Sequence, residues 1–245
     1  MSLPQELDAA LHESIALLER SLRVSTLQAK THDAIVVAGW QDSTQMVDAV
    51  AVYLVGLLAT AVSRALNVRS CLENTPRDRL ELERNVQQIV GSGGMSDQQK
   101  QDERNPWLAE GLWHLCLFLS SRRNDLHPHG PVIALDLPHI IAKDHGFDVV
   151  ALYRAADGIG LSVVECKAYE NNPNKAINEA LGFYEAFDAG DYDLRARQVV
   201  ASMREANGFG RAGRPGFSNQ GVVILISDDP FSGPLSGTPS GTNIL

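Results

Sequence analysis

Three charged side chains in this sequence are spaced for phosphate chemistry: Asp148, Glu165 and Lys167. In an extended segment residues i and i+2 share a face, so Glu165 and Lys167 point together and Cys166 points away. Asp157-Gly158, between two apolar runs, is a hairpin signal. With those two residues as the turn, Asp148 lies opposite Lys167 and Val150 opposite Glu165. Asp148 and Glu165 then become diagonal neighbours about 7–8 Å apart on one face. A one-residue slip would send Asp148 to the other face. Two carboxylates so placed offer hard oxygen ligands to one divalent cation, Mg²⁺ or Mn²⁺, which offsets charge that is otherwise costly to bury. The lysine beside them can orient or deprotonate a water, or stabilise charge developing on a phosphate.

The elements that must hold these groups can be read from apolar periodicity. Leu7, Leu11, Ile15, Leu18 and Leu22 form one helical stripe. Residues 34–40 (AIVVAGW) read as a strand. Asp42 or Ser43 caps a long helix over about residues 44–67. A further helix enters at Thr75-Pro76 and runs to about Val90. A glycine-rich, then polar, stretch follows and reads as a linker. Asn105 and Pro106 open a helix to about Ser120. Strands are expected over 132–141, 147–154 and 161–168. Helices are expected over about 172–187 and 194–206. Residues 222–227 (VVILIS) are wholly apolar, the pattern of a strand central in a sheet. The predicted class is α/β (α+β mixed). A mainly helical region, 1–90, and a loop, 91–104, precede an α-β-β-β-α-α-β unit over 105–228 with a mixed sheet flanked by helices. A loose tail, 229–245, ends the chain.

Gly146-Phe147-Asp148, a hairpin and then Glu165-Cys166-Lys167 resemble the PD-(D/E)xK nuclease superfamily, whose core runs α-β-β-β-α-β. The resemblance covers about half the chain and departs from the motif at Phe147, where the name has proline. It implies that Asp148 and Glu165 bind metal and that Lys167 assists catalysis. Glu110, in Trp-Leu-Ala-Glu-Gly, matches the glutamate that many members contribute from the first core helix. A narrower resemblance rests on short stretches: Asn105-Pro-Trp-Leu-Ala-Glu-Gly-Leu-Trp-His-Leu, Lys143-Asp-His-Gly-Phe-Asp, Val164-Glu-Cys-Lys-Ala-Tyr and Lys175-Ala-Ile. These are similar to the nuclease subunits of the Hachiman anti-phage defence system. That likeness implies DNA as substrate, a role in defence and a helicase partner. Two other classes stay open: a regulatory or DNA-binding subunit that keeps the fold without cutting, and a nuclease of repair or mobile-element processing.

Charge bears on the partner. Lys+Arg 21 against Asp+Glu 30 gives the 245 residues a net charge of −9, which at first argues against nucleic acid. One stretch after Lys167 is locally basic, however. Between 195 and 214 stand Arg195, Arg197, Arg204, Arg211 and Arg214 against the single acid Glu205. These arginines, with Lys175, read equally as phosphate contacts or as a solvated basic face. Cys71, Cys116 and Cys166 form no CxxC, and Cys166 reads as core. A reducing, cytoplasmic location is the expectation, since no secretory leader stands at the N-terminus. The charge-free run from Ala49 to Val62 has fourteen residues, short of the roughly twenty a membrane span needs. His127, His129, His139 and His145, with Asp136 and Asp144, cluster in sequence without the spacing of a zinc site. The glycine-rich 208–216 lacks the lysine-serine pair of an ATP loop.

Overall fold

The computed structural model describes residues 5–28, 33–70, 76–91, 96–100, 104–128, 130–140, 146–156, 158–169, 173–206 and 222–226. In chain order the elements are α1 (Gln5–Ser21), β1 (Arg23–Gln28), β2 (Asp33–Ala38), α2 (Thr44–Ser70), α3 (Pro76–Val90), α4 (Asp97–Gln99), α5 (Asn105–Ser120), β3 (Val132–Leu135), β4 (Val149–Ala155), β5 (Gly158–Val164), α6 (Pro173–Asp188), α7 (Asp193–Ala206) and β6 (Val222–Ile226). The class is mixed α/β, as expected. Ser43 Oγ accepts from the Met46 N–H at 3.2 Å and so caps α2. At α5 the cap position is Arg104 rather than Asn105, with no side-chain capping hydrogen bond and with proline in the first turn.

Two three-stranded sheets are present, ordered β1-β2-β6 and β3-β4-β5. The second is an antiparallel meander. In the first, β1 runs antiparallel to β2, and β6 runs parallel to β2 from Asp33↔Val222 to Val37↔Ile226. This corrects the expectation that 222–227 would lie centrally in one mixed sheet with the three preceding strands. An unbroken apolar run fits any strand buried on both faces, and β2 is such a strand, with Ile35, Val36, Val37 and Ala38 all buried. Apolarity specifies burial but not the partner.

The β3-β4-β5 sheet is covered on both faces. Val149, Ala151 and Val164 join the main core, shared with Leu115 and Cys116 of α5, Tyr53 and Leu57 of α2, Leu18 of α1 and Val37 of β2. The alternate residues Val150, Leu152, Leu161 and Val163 meet Phe183 and Phe187 of α6 and Ala196, Val200 and Met203 of α7. Period-two alternation therefore assigns each strand residue to one layer. Trp107, Trp113 and Leu115–Leu119 make α5 apolar nearly all round, as its central position requires. By length and composition α2 could cross a membrane; Ala49, Tyr53, Leu57 and Ala61 on it are buried in the protein. Arg64 near its end bonds Asp136 at 2.8 Å.

Candidate active site

The β4–β5 ladder runs from Ala155↔Gly158 to Val149↔Val164. The pairing therefore starts at Ala155↔Gly158, so Gly158 belongs to the strand and not to an Asp157-Gly158 turn. The shift is two residues, so every side chain keeps its face. It changes the partner: the next step beyond Val149↔Val164 sets Asp148 against Glu165 directly rather than diagonally, and no longer against Lys167. Asp148 also ties the two strand ends together, because its Oδ2 accepts from the Cys166 N–H at 2.6 Å. Lys167 Nζ donates to Glu165 Oε1 at 2.5 Å, and both side chains are largely covered. Cys166 lies in the core on the α5 side, away from the acids' solvent access. Burial raises its thiol well above the usual range, as do the nearby Asp148, Glu110 and Glu165. It is a packing residue, not a nucleophile at neutral pH.

Glu110 joins this pair from α5. Burial first, then repulsion from Asp148 and from Glu165, raises its carboxyl from 4.5 to about 8. Burial and Glu165 likewise raise Asp148 to about 6, against the pull of the Cys166 N–H and Lys167. For Lys167, burial favours the neutral amine, but the hydrogen bond it donates to Glu165 and the charges of Glu165, Asp148 and Glu179 outweigh it and the net shift is upward. Lys167 is thus an ammonium here, a donor rather than a base. Three carboxylates share one environment with one ammonium. Such an excess of buried negative charge, with oxygen donors only, suits a hard divalent cation. Among the described residues, however, no group of three or more His, Cys, Asp or Glu is arranged to hold a metal as it stands. The hydrogen bonds explain the difference: Glu165 is turned to Lys167, and Asp148 to the Cys166 amide. Coulomb repulsion reaches further than a coordination bond, so the carboxylates feel one another without converging.

Two positioning groups were not apparent from sequence. Tyr184 of α6 donates to the Val163 carbonyl at 3.3 Å. Its hydroxyl, pushed to about 12 chiefly by burial, also receives the Glu165 amide and feels Glu165 and Asp148. It fixes the strand end that carries the acid. Tyr53 of α2 and His114 of α5 share a buried hydrogen bond of 2.8 Å. Burial lowers His114 to about 4, so the ring is neutral and serves to lock α5, one turn after Glu110, onto α2. Both read as ordinary aromatic core positions in the sequence, and only the tertiary contacts reveal the role.

The basic candidates divide. Lys175, on the first turn of α6, holds its Nζ 4.8 Å from the Tyr169 ring centroid and 3.8 Å from Glu179. That turn contains no acid, so the ammonium adds to the positive end of the helix. Arg195 lies over the Phe147 ring at 5.9 Å. It packs so closely on Gly146 that a Cβ there would come within 2.6 Å of Nη2, and within 3.2 Å of His139 Nε2. Arg197 is exposed and faces Asp193 at 3.8 Å. Arg211, Arg214 and the glycine-rich loop lie outside the described residues, as do His129, Asp144 and His145. No protein-family model, curated protein or solved structure matches the chain.

Proposed function

We propose that this protein is a metal-dependent nuclease of the PD-(D/E)xK superfamily that hydrolyses phosphodiester bonds of DNA. The observation that carries the reading is the shared environment of Glu110, Asp148, Glu165 and Lys167 at one end of the β4–β5 hairpin, with the Glu110 and Asp148 carboxyls raised by burial and by neighbouring acids. The likeness of short stretches to Hachiman nuclease subunits extends the proposal to a cytoplasmic defence effector working with a helicase.

Asp148 and Glu165, with Glu110, would hold Mg²⁺ or Mn²⁺. When bound, the cation supplies Lewis acidity toward a phosphoryl oxygen and a more acidic water. The chain's own groups do the remainder. Glu165 leaves its pair with Lys167 to act as a ligand, which frees the ammonium. Lys167 then donates to the attacking water or to a non-bridging phosphate oxygen, where it stabilises the charge that grows in the transition state. Glu110 would hold the cation as the carboxylate, the form that a nearby cation favours. Tyr184 and the Asp148–Cys166 hydrogen bond keep the two strand ends from separating, which preserves in-line alignment.

The test is cleavage of supercoiled plasmid with Mg²⁺ or Mn²⁺ by the wild type, Glu165→Ala and Lys167→Ala, alone and with the native partner. Both variants should lose at least about a hundredfold in rate, the size of a general-catalyst contribution. Equal cutting by all three would sink the site, and a wild type that, alone and with its native partner, cuts no nucleic acid, plasmid or single strand, would sink the enzyme. In that event the rival reading gains, a non-cutting subunit that keeps the fold.

A further inference from the structure

Tyr169 is the one aromatic among the exposed large hydrophobic residues described, with 38% of its surface open. It lies two residues beyond Lys167, on the segment that leaves the candidate site. Its ring is held at two points. The hydroxyl donates to Glu179 Oε2 at 2.6 Å. The Lys175 ammonium stands 4.8 Å from the ring centroid and 3.8 Å from Glu179 Oε1. Residues 165–169 run as one continuous segment from Glu165 and Lys167 to Tyr169. Tyr169, Lys175 and Glu179 therefore form one exposed cluster continuous with the site.

The chemistry of this cluster is that of a nucleotide contact. An exposed aromatic ring offers a face that any nucleobase can stack on, whatever its identity. A hydroxyl fixed by a carboxylate removes the ring's rotational freedom beforehand, so less ordering remains to be lost on binding. Lys175 stands over one face of the ring, so a base would stack on the other, and its ammonium offers a point charge to the phosphate attached to that base. Bases inside a duplex are already stacked on their neighbours and cannot use such a platform, whereas an unpaired base can. A surface ion pair alone would give Lys175 and Glu179 a reason to meet, but not a tyrosine locked between them.

We infer that Tyr169, supported by Glu179 and accompanied by Lys175, is a stacking subsite for an unpaired base beside the scissile phosphate, so that the protein prefers single-stranded or frayed nucleic acid over intact duplex. The inference rests on the nuclease reading of the neighbouring acids and deepens it by naming the substrate form.

The experiment measures binding and cutting separately, on the full chain. Fluorescence anisotropy with a labelled single-stranded oligodeoxynucleotide, and with the same strand in blunt duplex, is read with Ca²⁺ in place of Mg²⁺. Stacking is read from 2-aminopurine in the single strand. Wild type should bind the single strand more tightly and quench the 2-aminopurine. Tyr169→Ala should lose about fivefold or more in single-strand affinity, as expected for one stacked base, with little change for duplex. Tyr169→Phe should keep most of the affinity, because the ring remains. Lys175→Ala should weaken both forms and lower the salt slope by about one contact. Single-strand binding by Tyr169→Ala equal to wild type overturns the inference. So does an equal loss for both forms in a variant whose circular dichroism and melting match wild type, or wild-type binding with no preference. Plasmid and oligonucleotide cutting with Mg²⁺ is followed in parallel. A wild type that stacks 2-aminopurine but never cuts would overturn the nuclease reading while leaving the stacking subsite in place.

Discussion

Replacing Glu110 with glutamine should stabilise the metal-free protein at neutral pH while removing its proposed activity. In the fold the carboxyl is raised from 4.5 to about 8, chiefly by burial and then by Asp148 and Glu165. The fold therefore prefers the protonated acid, and the unfolded chain releases the proton at its ordinary pH. The stabilisation that Glu110 contributes is complete below about pH 4.5 and declines as pH rises toward 8, by about 1.4 kcal/mol per unit. At pH 7 that loss amounts to about 3 kcal/mol for an isolated group. Glu110, Asp148 and Glu165 share the same repulsion, so the realistic gain from removing one charge is about 2 kcal/mol. Glutamine copies the protonated carboxyl in shape and avoids the cost. Urea unfolding with EDTA, at pH 5 and pH 8, reads the effect. The two proteins should nearly coincide at pH 5 and separate at pH 8, with the variant more stable. Mg²⁺ should then stabilise the wild type more than the variant. A difference that is the same at both pH values, or a variant less stable at pH 8, would refute the reasoning that the acid is held at an energetic cost.

Tyr184→Phe should keep the ring packed and lose only the hydrogen bonds to Val163 and Glu165. Stability should fall by about 1 kcal/mol, and the cutting rate should fall more than the melting temperature would suggest, as measured by plasmid cleavage beside thermal melting. Cys116 and Cys166 should resist a thiol reagent in the native state, because burial raises both thiols and covers them. Mass spectrometry of labelled peptides should find them modified only after denaturation; rapid native labelling of Cys166 would contradict its core position.

The sequence revealed elements better than pairings. Leu11, Ile15 and Leu18 at helical spacing, and the proline-led entries of α3, α5 and α6, marked helices that the fold contains. The strand β1 escaped notice because Arg23–Gln28 carries only Val24 and Leu27 as large apolar residues, too few for a pattern. Asp157-Gly158 drew the turn one position too late, since Gly158 has two valid uses, in a turn or in a strand. The shared face of Asp148 and Glu165 survived that error because the register moved by two. Glu110 was legible only through resemblance, as one acid on an otherwise apolar helix. Tyr184 was not legible at all: an aromatic at core spacing looks alike whether it fills space or holds a catalytic strand by its hydroxyl. The partner of β6 was equally hidden, since five apolar residues encode burial without an address.

The parallel pairing of β6 with β2 bears on how the protein can be divided. A segment beginning at Asn105 would leave β6 with no strand to join, although it would contain every proposed ligand. A segment stopping at Ala206 would leave β2 with a bare apolar edge, open to strand addition by another molecule. The first and last of the described strands, β1 and β6, flank β2 in one sheet, so β2 must be in place before β6 can dock. Proteolysis or truncation at either end should therefore loosen a sheet whose residues share a core with the hairpin bearing Asp148 and Glu165.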